Sequence, residues 1–208
     1  MESWIDMEGN PYFYGLSSHE NVEIKLYNKA NPLKPWKTMG RMHDKYLIAD
    51  GKIYILGGRN TYNYFLGDFP GHKNFDRDVL VVCDEPQKDN SVNQLWNYFE
   101  TIWEQEDCRY FHNSKKLADR QSVKKAVLEL QEGYQQYFEV NKEKICDTDY
   151  ADETFETEKI TLLSNPIHTQ AKEPVVWYQL GELMKNAKER VKIHTPYIIC
   201  NDMMYNTW

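Results

Sequence analysis

The order of its apolar patterns predicts that this chain has an α/β fold. Residues 22–27 (VEIKLY) alternate apolar and polar side chains, as a half-buried strand does. Two further strand-like runs flank Asp50 and Gly51, a dipeptide typical of the two-residue turn in a β-hairpin. Apolar residues then recur at helical spacing from Ser91 and again from Ser122. Strands followed by amphipathic helices indicate a mixed β-sheet that is flanked by helices.

The remaining elements of the first half follow from the same periodicities. The run DVLVVC at 78–83 is apolar enough for a strand that is covered on both faces. The first helix is predicted at 91–106, and the side chain of Ser91 is its expected N-cap. The second helix is predicted at 122–140, and its expected core-facing stripe consists of Val123, Val127, Leu130, Tyr134 and Tyr137.

The last fifty residues repeat the alternation of strand and helix. Residues 159–165 (KITLLSN) and 190–197 (RVKIHTPY) are strand-like, and apolar residues recur at helical spacing across 174–188 between them. A strand, a helix and a strand in this order predict a βαβ unit.

An acidic segment separates the two halves of the chain. Residues 147–158 contain six acidic residues and no basic one, which is typical of a solvated linker. We therefore predict a first domain at 1–146, a linker at 147–158 and the beginning of a second domain at 159–208.

The composition favours a cytoplasmic protein that does not bind nucleic acid. The net charge is -7, with no basic run longer than a pair, whereas proteins that grip a nucleic-acid backbone carry a basic excess. The cysteines are widely spaced, with no pattern of zinc ligands. The apolar runs are too short to span a bilayer, and the N-terminus lacks the pattern of a signal peptide.

The strand at 42–49 carries a pair of side chains suited to phosphoryl transfer. Its period of two places His43 and Lys45 on one face, about 7 Å apart along the strand. An imidazole can attack phosphorus or move a proton at neutral pH, and an ammonium beside it can hold a phosphate oxygen. On spacing alone, a surface strand with a chance His-x-Lys pair remains the alternative.

The residues around this pair extend it to a longer motif. His43-x-Lys45 is followed by Asp50 and then by Gly57-Gly58-x-Asn60, which matches the HxKx4Dx6G[G/S]xN signature of the phospholipase D superfamily. The stretch FDRDVLVV resembles the next strand of that family, where an acidic residue pairs with the motif histidine. Asp76 occupies the matching position, and Asp78 is the alternative. The helix WNYFETIWEQ is also similar to one of the family, and AKERVKIHTPYII, with the turn at 195–197, resembles the opening of the second half of two-motif members.

The resemblance implies a role for each motif residue. His43 would be the nucleophile that forms a phosphohistidine, or the acid/base that serves the leaving and accepting oxygens. Lys45 and Asn60 would bind phosphoryl oxygens, and Asp76 would accept a hydrogen bond from the imidazole. Asp50, Gly57 and Gly58 would have structural roles. The resemblance implies no metal and no cofactor, since the lysines and asparagines of two motifs hold the phosphoryl charge.

The family site needs two facing motifs, and these residues contain one. His168 and His194 are not followed by a lysine two residues later, so we interpret both as structural. Single-motif members complete the site as homodimers. We favour instead a two-motif enzyme whose second motif follows Trp208, because residues 159–208 resemble the start of a second half; the chain alone would then be inactive.

The expected activity is phosphodiester transfer on a phospholipid such as phosphatidylglycerol. It would be phosphatidyltransfer of the bacterial cardiolipin synthase type or hydrolysis of the phospholipase D type, with peripheral contact at the inner face of the membrane. A nuclease of the same superfamily is an alternative that the negative charge disfavours. A catalytically inactive half-enzyme that serves as a scaffold is the other.

Overall fold

The computed structural model describes residues 3–62, 64–65, 70–83, 90–112, 114–169, 173–194 and 201–206. Within these ranges the strands are β1 (Lys25–Tyr27), β2 (Lys45–Ala49), β3 (Ile53–Gly57), β4 (Asp78–Val82) and β5 (Cys108–Tyr110). The helices are α1 (Ser3–Met7), α2 (Pro11–Ser17), α3 (Ser91–Trp103), α4 (Lys115–Ala118), α5 (Gln121–Cys146), α6 (Val175–Lys185) and α7 (Asp202–Tyr205), with a 3₁₀ turn at Pro35–Met39. The predicted combination of helices and strands is confirmed, and the sheets described are small and antiparallel.

A three-stranded antiparallel sheet in the order β2-β3-β4 packs one face against α3. Alternate side chains point to this face, as the period of two requires. The buried cluster between sheet and helix consists of Tyr54, Val81, Val92 and Leu95. This sheet contains the hairpin predicted around Asp50 and Gly51, which is confirmed.

A second cluster joins the N-terminal helices to the two-stranded sheet of β1 and β5. Its buried members are Met7 in α1, Tyr14 in α2, Phe111 just after β5 and Val123 in α5. β1 is shorter than the run predicted at 22–27, because it pairs only with the three residues of β5. The sequence did not predict β5, a strand of three residues that pairs with β1.

Three details of the first half differ from prediction. The N-cap of α3 is Asn90, whose Oδ1 accepts from the amide of Asn93 at 2.8 Å, one residue before the predicted Ser91. The stripe of α5 packs only near its start, and Leu130, Tyr134 and Tyr137 are exposed because α2 covers only the first turns of the helix. On the outer face of the sheet Leu47 and Ile55 are exposed, whereas Leu80 and Val82 of β4 are half-buried, so the covering of both faces predicted for 78–83 is only partial.

The second half forms its helix without the expected strands. α6 confirms the helix predicted at 174–188, with shorter bounds. Residues 159–165 are not a strand, because the Leu162 amide donates to Oε1 of Gln94 at 2.8 Å and none of the described strands pairs with this segment. Residues 190–194 are not a strand either, and the turn at 195–197 lies outside the described residues.

The predicted division at 147–158 stays a prediction. These residues follow the C-terminus of α5 as turns and extended chain. In the described part of the chain, no helix has both the length and the apolar character that crossing a membrane requires.

Candidate active site at one end of the three-stranded sheet

The hairpin turn determines which motif residues meet. Asp50 and Gly51 have φ of 52° and 65°, and the Lys52 amide donates to the Ala49 carbonyl at 3.0 Å, as in a type I′ turn. This turn pairs Lys45 with Gly57 across β2 and β3. The two ends of the motif, HxK and GGxN, therefore lie at the same end of the hairpin.

The third strand brings the acidic residues to the same place. Gly57 pairs with Asp78 across β3 and β4, so Asp76 lies just before the strand at this end. We call the surface formed by residues 43–45, 57–60 and 76–78 the motif end of the sheet. It collects every site residue predicted from the sequence except Asp50, which lies in the turn about 17 Å away along β2.

His43 and Lys45 are in direct contact at the motif end. The Lys45 Nζ lies 2.7 Å from Nδ1 of His43 and donates to the His43 carbonyl at 2.6 Å. An ammonium can only donate, so Nδ1 is the acceptor and the proton of the neutral ring is on Nε2. In this arrangement the neutral His43 ring presents its Nε2–H as a hydrogen-bond donor.

The hydrogen bond expected between Asp76 and His43 is not formed in the described structure. Oδ1 of Asp76 instead accepts from the backbone amide of Arg77 at 2.8 Å. Nδ1 of His43 contacts the ammonium of Lys45 in place of a carboxylate. The Asp76 carboxylate still acts on the site through space, since its charge favours protonation of Lys45.

Burial is the main influence on Lys45. Removal from water lowers the pKa of its ammonium, and the nearby carboxylates of Asp44 and Asp76 oppose that change. Lys45 is half-buried, whereas His43 is exposed. The motif end thus holds a partly desolvated cation beside an accessible imidazole, which suits recognition of a single phosphate.

Arg59 organises the loop after β3 and was missed in the sequence. Its Nε donates to Oδ2 of Asp78 at 2.7 Å, and its Nη atoms donate to the carbonyls of Phe65 at 3.0 Å and Asp76 at 3.1 Å. The guanidinium therefore ties the GGxN segment to the start of β4. The sequence offered one signal for Arg59. It stands between the paired glycines and Asn60, and the aspartates of the next predicted strand were expected opposite it.

The paired glycines are required by the approach of the aspartates. A Cβ on Gly57 would lie 1.8 Å from Oδ1 and 3.0 Å from Cα of Asp78. A Cβ on Gly58 would lie 2.7 Å from Oδ2 of Asp76. A side chain at either position would push an acidic residue away from the motif end. Asn60, two residues beyond Gly58, is half-buried.

A cavity of about 320 Å³ opens beside His43. At its mouth the Tyr98 hydroxyl donates to Oδ2 of Asp44 at 2.5 Å. Burial, followed by this carboxylate, raises the pKa of Tyr98, and burial with Asp44 raises the pKa of Tyr46 to about 12. Both phenols therefore stay protonated around neutral pH.

The other histidines do not join this site. His72 contacts Oδ1 of Asn74 at 2.8 Å, and His112 contacts Glu8 at 3.1 Å near α1. His168 lies 3.6 Å from Glu173, and His194 is exposed. Throughout the described ranges, no three His, Cys, Asp or Glu side chains are grouped so that they could hold a metal ion.

Comparisons with protein-family models, with curated proteins and with solved structures found no match. The functional assignment therefore depends on the spacing of the motif and on the geometry of the motif end.

Proposed function

We propose that this chain carries one half of a phosphodiester-transfer site of the phospholipase D type. The observation that carries the proposal is the strand register, which brings His43, Lys45, the paired glycines and Asp76 to one end of a sheet. On this proposal the sheet and α3 belong to a phospholipase D-like domain. The substrate is a phospholipid such as phosphatidylglycerol, and the reaction is phosphatidyltransfer or hydrolysis.

The chemistry uses two imidazoles on opposite sides of the phosphorus. Nε2 of one attacks phosphorus while the P–O bond to the leaving alcohol breaks, and the other gives its proton to that oxygen. A second alcohol or water then attacks the phosphohistidine, losing its proton to the second imidazole and freeing the first. Lys45 and Asn60 hold the non-bridging oxygens and offset their charge.

His43 can take either role, with different requirements. As the acid it has to be the imidazolium, with protons on both ring nitrogens, so Lys45 would have to leave Nδ1, which accepts its hydrogen bond in the structure. As the nucleophile it needs a lone pair on Nε2 and a proton on Nδ1. Lys45 would then have to leave Nδ1 for a phosphate oxygen, and Asp76 would accept the Nδ1 proton.

The second motif has to come from elsewhere, since residues 1–208 contain only one HxK. We favour a second motif on the same polypeptide, in keeping with the resemblance of residues 159–208 to the start of a second half. A homodimer that pairs two copies of the motif end is the alternative. Sequencing the gene beyond codon 208 decides between them: a second HxKx4D supports the first source, and its absence supports the dimer.

The charge of the chain supports a lipid substrate over nucleic acid. The net charge of -7 would repel a polyanion, whereas a single phosphate needs only the local cations of the motif end. We place the protein in the cytoplasm, in peripheral contact with the membrane surface.

Activity assays on the product of the complete reading frame test this proposal. We expect conversion of phosphatidylglycerol in vesicles, little cleavage of single-stranded DNA, and loss of activity by at least about a thousandfold in His43→Ala. The matched control is His72→Ala, an exposed histidine outside the motif end. A fully active His43→Ala enzyme would refute the site, and preference for DNA would favour the nuclease.

A further inference from the structure

We propose that the loop formed by residues 28–41 docks the protein on an anionic lipid surface. We call it the basic loop, because it contains four basic residues and no acidic one in a chain whose net charge is -7. The proposal rests on the proposed function for the choice of a membrane as the partner, but its evidence comes from residues outside the motif end. It assigns the contact with the membrane to a defined surface, which the phosphodiester motif does not do.

Two large apolar side chains are displayed at the tip of the basic loop. Leu33 is 83% exposed and Trp36 is 71% exposed. Single exposed apolar side chains are common on proteins, but here a leucine and a tryptophan flank Lys34 within four residues. Tryptophan is enriched at the boundary between lipid and water, where its ring leaves water and its N–H stays hydrated. The tip is therefore suited to partial insertion between lipid head groups.

Hydrogen bonds close the base of the basic loop. Asn28 is buried and has a φ of 44°, and its Nδ2 donates to the carbonyls of Lys37 at 2.7 Å and Gly40 at 2.6 Å. Pro35 begins the 3₁₀ turn that follows the tip, and its ring restricts the backbone there. The loop is thus ordered before it meets a partner, so insertion of its tip costs little further ordering of the chain.

The basic side chains surround a cavity of about 200 Å³ at the base of the loop. Four of them line it: Lys29, Lys34, Lys37 and Arg109. Asp107 lies 3.1 Å from Nζ of Lys37, and Glu8 pairs with Lys29. These two acids balance two of the four cations. A positive excess beside an apolar tip is the combination that binds a peripheral protein to anionic lipid.

The apolar tip favours a lipid surface over nucleic acid as the partner. Trp36 could stack on an unpaired base, but Leu33 would gain nothing from a sugar-phosphate backbone. In a bilayer both side chains leave water, and each basic residue near an anionic surface strengthens binding about fivefold. Charges act over only about 8 Å at physiological ionic strength, so the local excess matters more here than the net charge of the chain.

The basic loop leads directly into the motif end. Its last residue is Arg41, whose Nη1 donates to the Asn28 carbonyl at 3.4 Å. Arg41 also lines the cavity beside His43. Docking through the basic loop would therefore hold the motif end close to the lipid surface.

Binding of the 208-residue chain to vesicles tests the proposal. Vesicles of phosphatidylcholine alone are compared with vesicles that also contain phosphatidylserine, an anionic lipid other than the proposed substrate. We expect binding to the anionic vesicles to be tighter by about tenfold or more and to weaken as salt is added. Brominated lipid should quench the tryptophan fluorescence of the parent more strongly than that of Trp36→Phe.

Substitutions in the basic loop should weaken binding to the anionic vesicles. The double variant Leu33→Ser, Trp36→Ser should lose about tenfold or more in affinity, because its tip no longer removes apolar area from water. Lys34→Glu should also lose about tenfold or more, because the charge of the loop falls by two units. The residues replaced are exposed, so circular dichroism should show the parent fold in both variants.

The matched controls replace exposed residues elsewhere in the chain. Phe155 is 94% exposed in the predicted linker, and Lys142 is exposed on α5. Phe155→Ser and Lys142→Glu should each change the affinity for anionic vesicles by less than about twofold, because neither position lies in the basic loop.

The outcomes separate the docking surface from the proposed function. Unchanged vesicle binding by the loop variants, or equal quenching of Trp36→Phe, would overturn the docking surface. Binding of the loop to single-stranded DNA without binding to vesicles would also overturn it, and would make the loop a nucleic-acid surface. The phosphodiester site is tested separately by the effect of glycerophosphoglycerol on the His43 ring. An unshifted ring would overturn that site, and loop-dependent binding to vesicles would still support the docking surface.

Discussion

The two halves of this chain differ in what they bury. Every buried hydrophobic side chain of the described residues lies between Met7 and Ala126, in the predicted first domain. In the described residues after 158, the one buried residue is Gly181 in α6. Yet the apolar patterns of the halves were equally clear in the sequence. The difference shows that an amphipathic pattern is enough to form a helix but does not provide the surface that buries it.

The first half provides partners for its own elements. β3 pairs with β2 and β4, and α3 packs on the resulting face. In the second half, Leu180 and Leu183 on α6 remain exposed. The extended chain before α6 is held by side chains of α3 and of the residues just after it, since Gln94 accepts from Leu162 and Gln105 donates to the Ile167 carbonyl at 2.6 Å. The second half thus attaches to the first without a core of its own in the described residues.

We expect the largest effect on the free energy of unfolding when one leucine from each half is replaced and the two variants are compared. Leu95 is 1% exposed and Leu183 is 64% exposed. We expect Leu95→Ala to lower the free energy of unfolding by about 2–5 kcal/mol, because it leaves a cavity in the core. Leu183→Ala should change it by less than about 0.5 kcal/mol. Urea unfolding of the two variants measures both, and similar losses would contradict the contrast.

The next effect contrasts two glycines and tests the packing of the motif end. Gly57→Ala should lower the free energy of unfolding by about 1–3 kcal/mol, because its Cβ collides with Asp78. Gly133→Ala in α5 meets nothing within 4 Å and should stabilise the helix by about 0.5–1 kcal/mol. Thermal unfolding should show melting temperatures that move in opposite directions. A Gly57→Ala protein as stable as the parent would mean that Asp78 does not approach β3.

A smaller effect tests how the second half is attached. Gln94→Leu removes the acceptor of the Leu162 amide, so we expect faster hydrogen exchange at that amide and a loss of about 1 kcal/mol. The control is Gln136→Leu, at an exposed position on α5, which should leave the exchange of Leu162 unchanged. Unchanged protection in Gln94→Leu would show that the segment is held by other contacts.

The smallest effect is the pH dependence of Lys45. Burial lowers its pKa in the folded protein below the value of 10.5 for a free lysine. The folded state therefore binds fewer protons than the unfolded state between these two pKa values, and stability rises with pH across that alkaline window. From pH 7 to pH 10.5 the parent should gain up to about 1 kcal/mol relative to Lys45→Met. Parallel curves in urea unfolding would contradict the burial of Lys45.

The motif end was predictable because local signals determine it. Asp50 and Gly51 specify a turn type, and the turn type determines the register of β2 and β3. In this register HxK and GGxN lie opposite each other, so no contact between distant parts of the sequence is needed. Asp76 also lies at this end, since the next strand is antiparallel and adjacent, but the hydrogen bond predicted from it to His43 is not formed.

Other features depend on contacts that no local pattern encodes. The carbonyls and carboxylate that hold Arg59 come from three separate positions between Phe65 and Asp78. The contact of Lys45 with Nδ1 of His43 depends on side-chain torsions rather than on strand period. The strand expected at 159–165 required a neighbouring strand, and a sequence pattern cannot provide one.

Binding of a plain phosphodiester to the motif end tests the central proposal most directly. The 208-residue chain, labelled with ¹⁵N at histidine, is titrated with glycerophosphoglycerol and compared with Lys45→Met. We expect the ring signals of His43 to shift while those of His72 do not, and Lys45→Met to weaken binding by about tenfold or more through loss of a charged hydrogen bond. An unshifted His43, or equal binding by Lys45→Met, would contradict the assignment of this sheet end as half of a phosphodiester site.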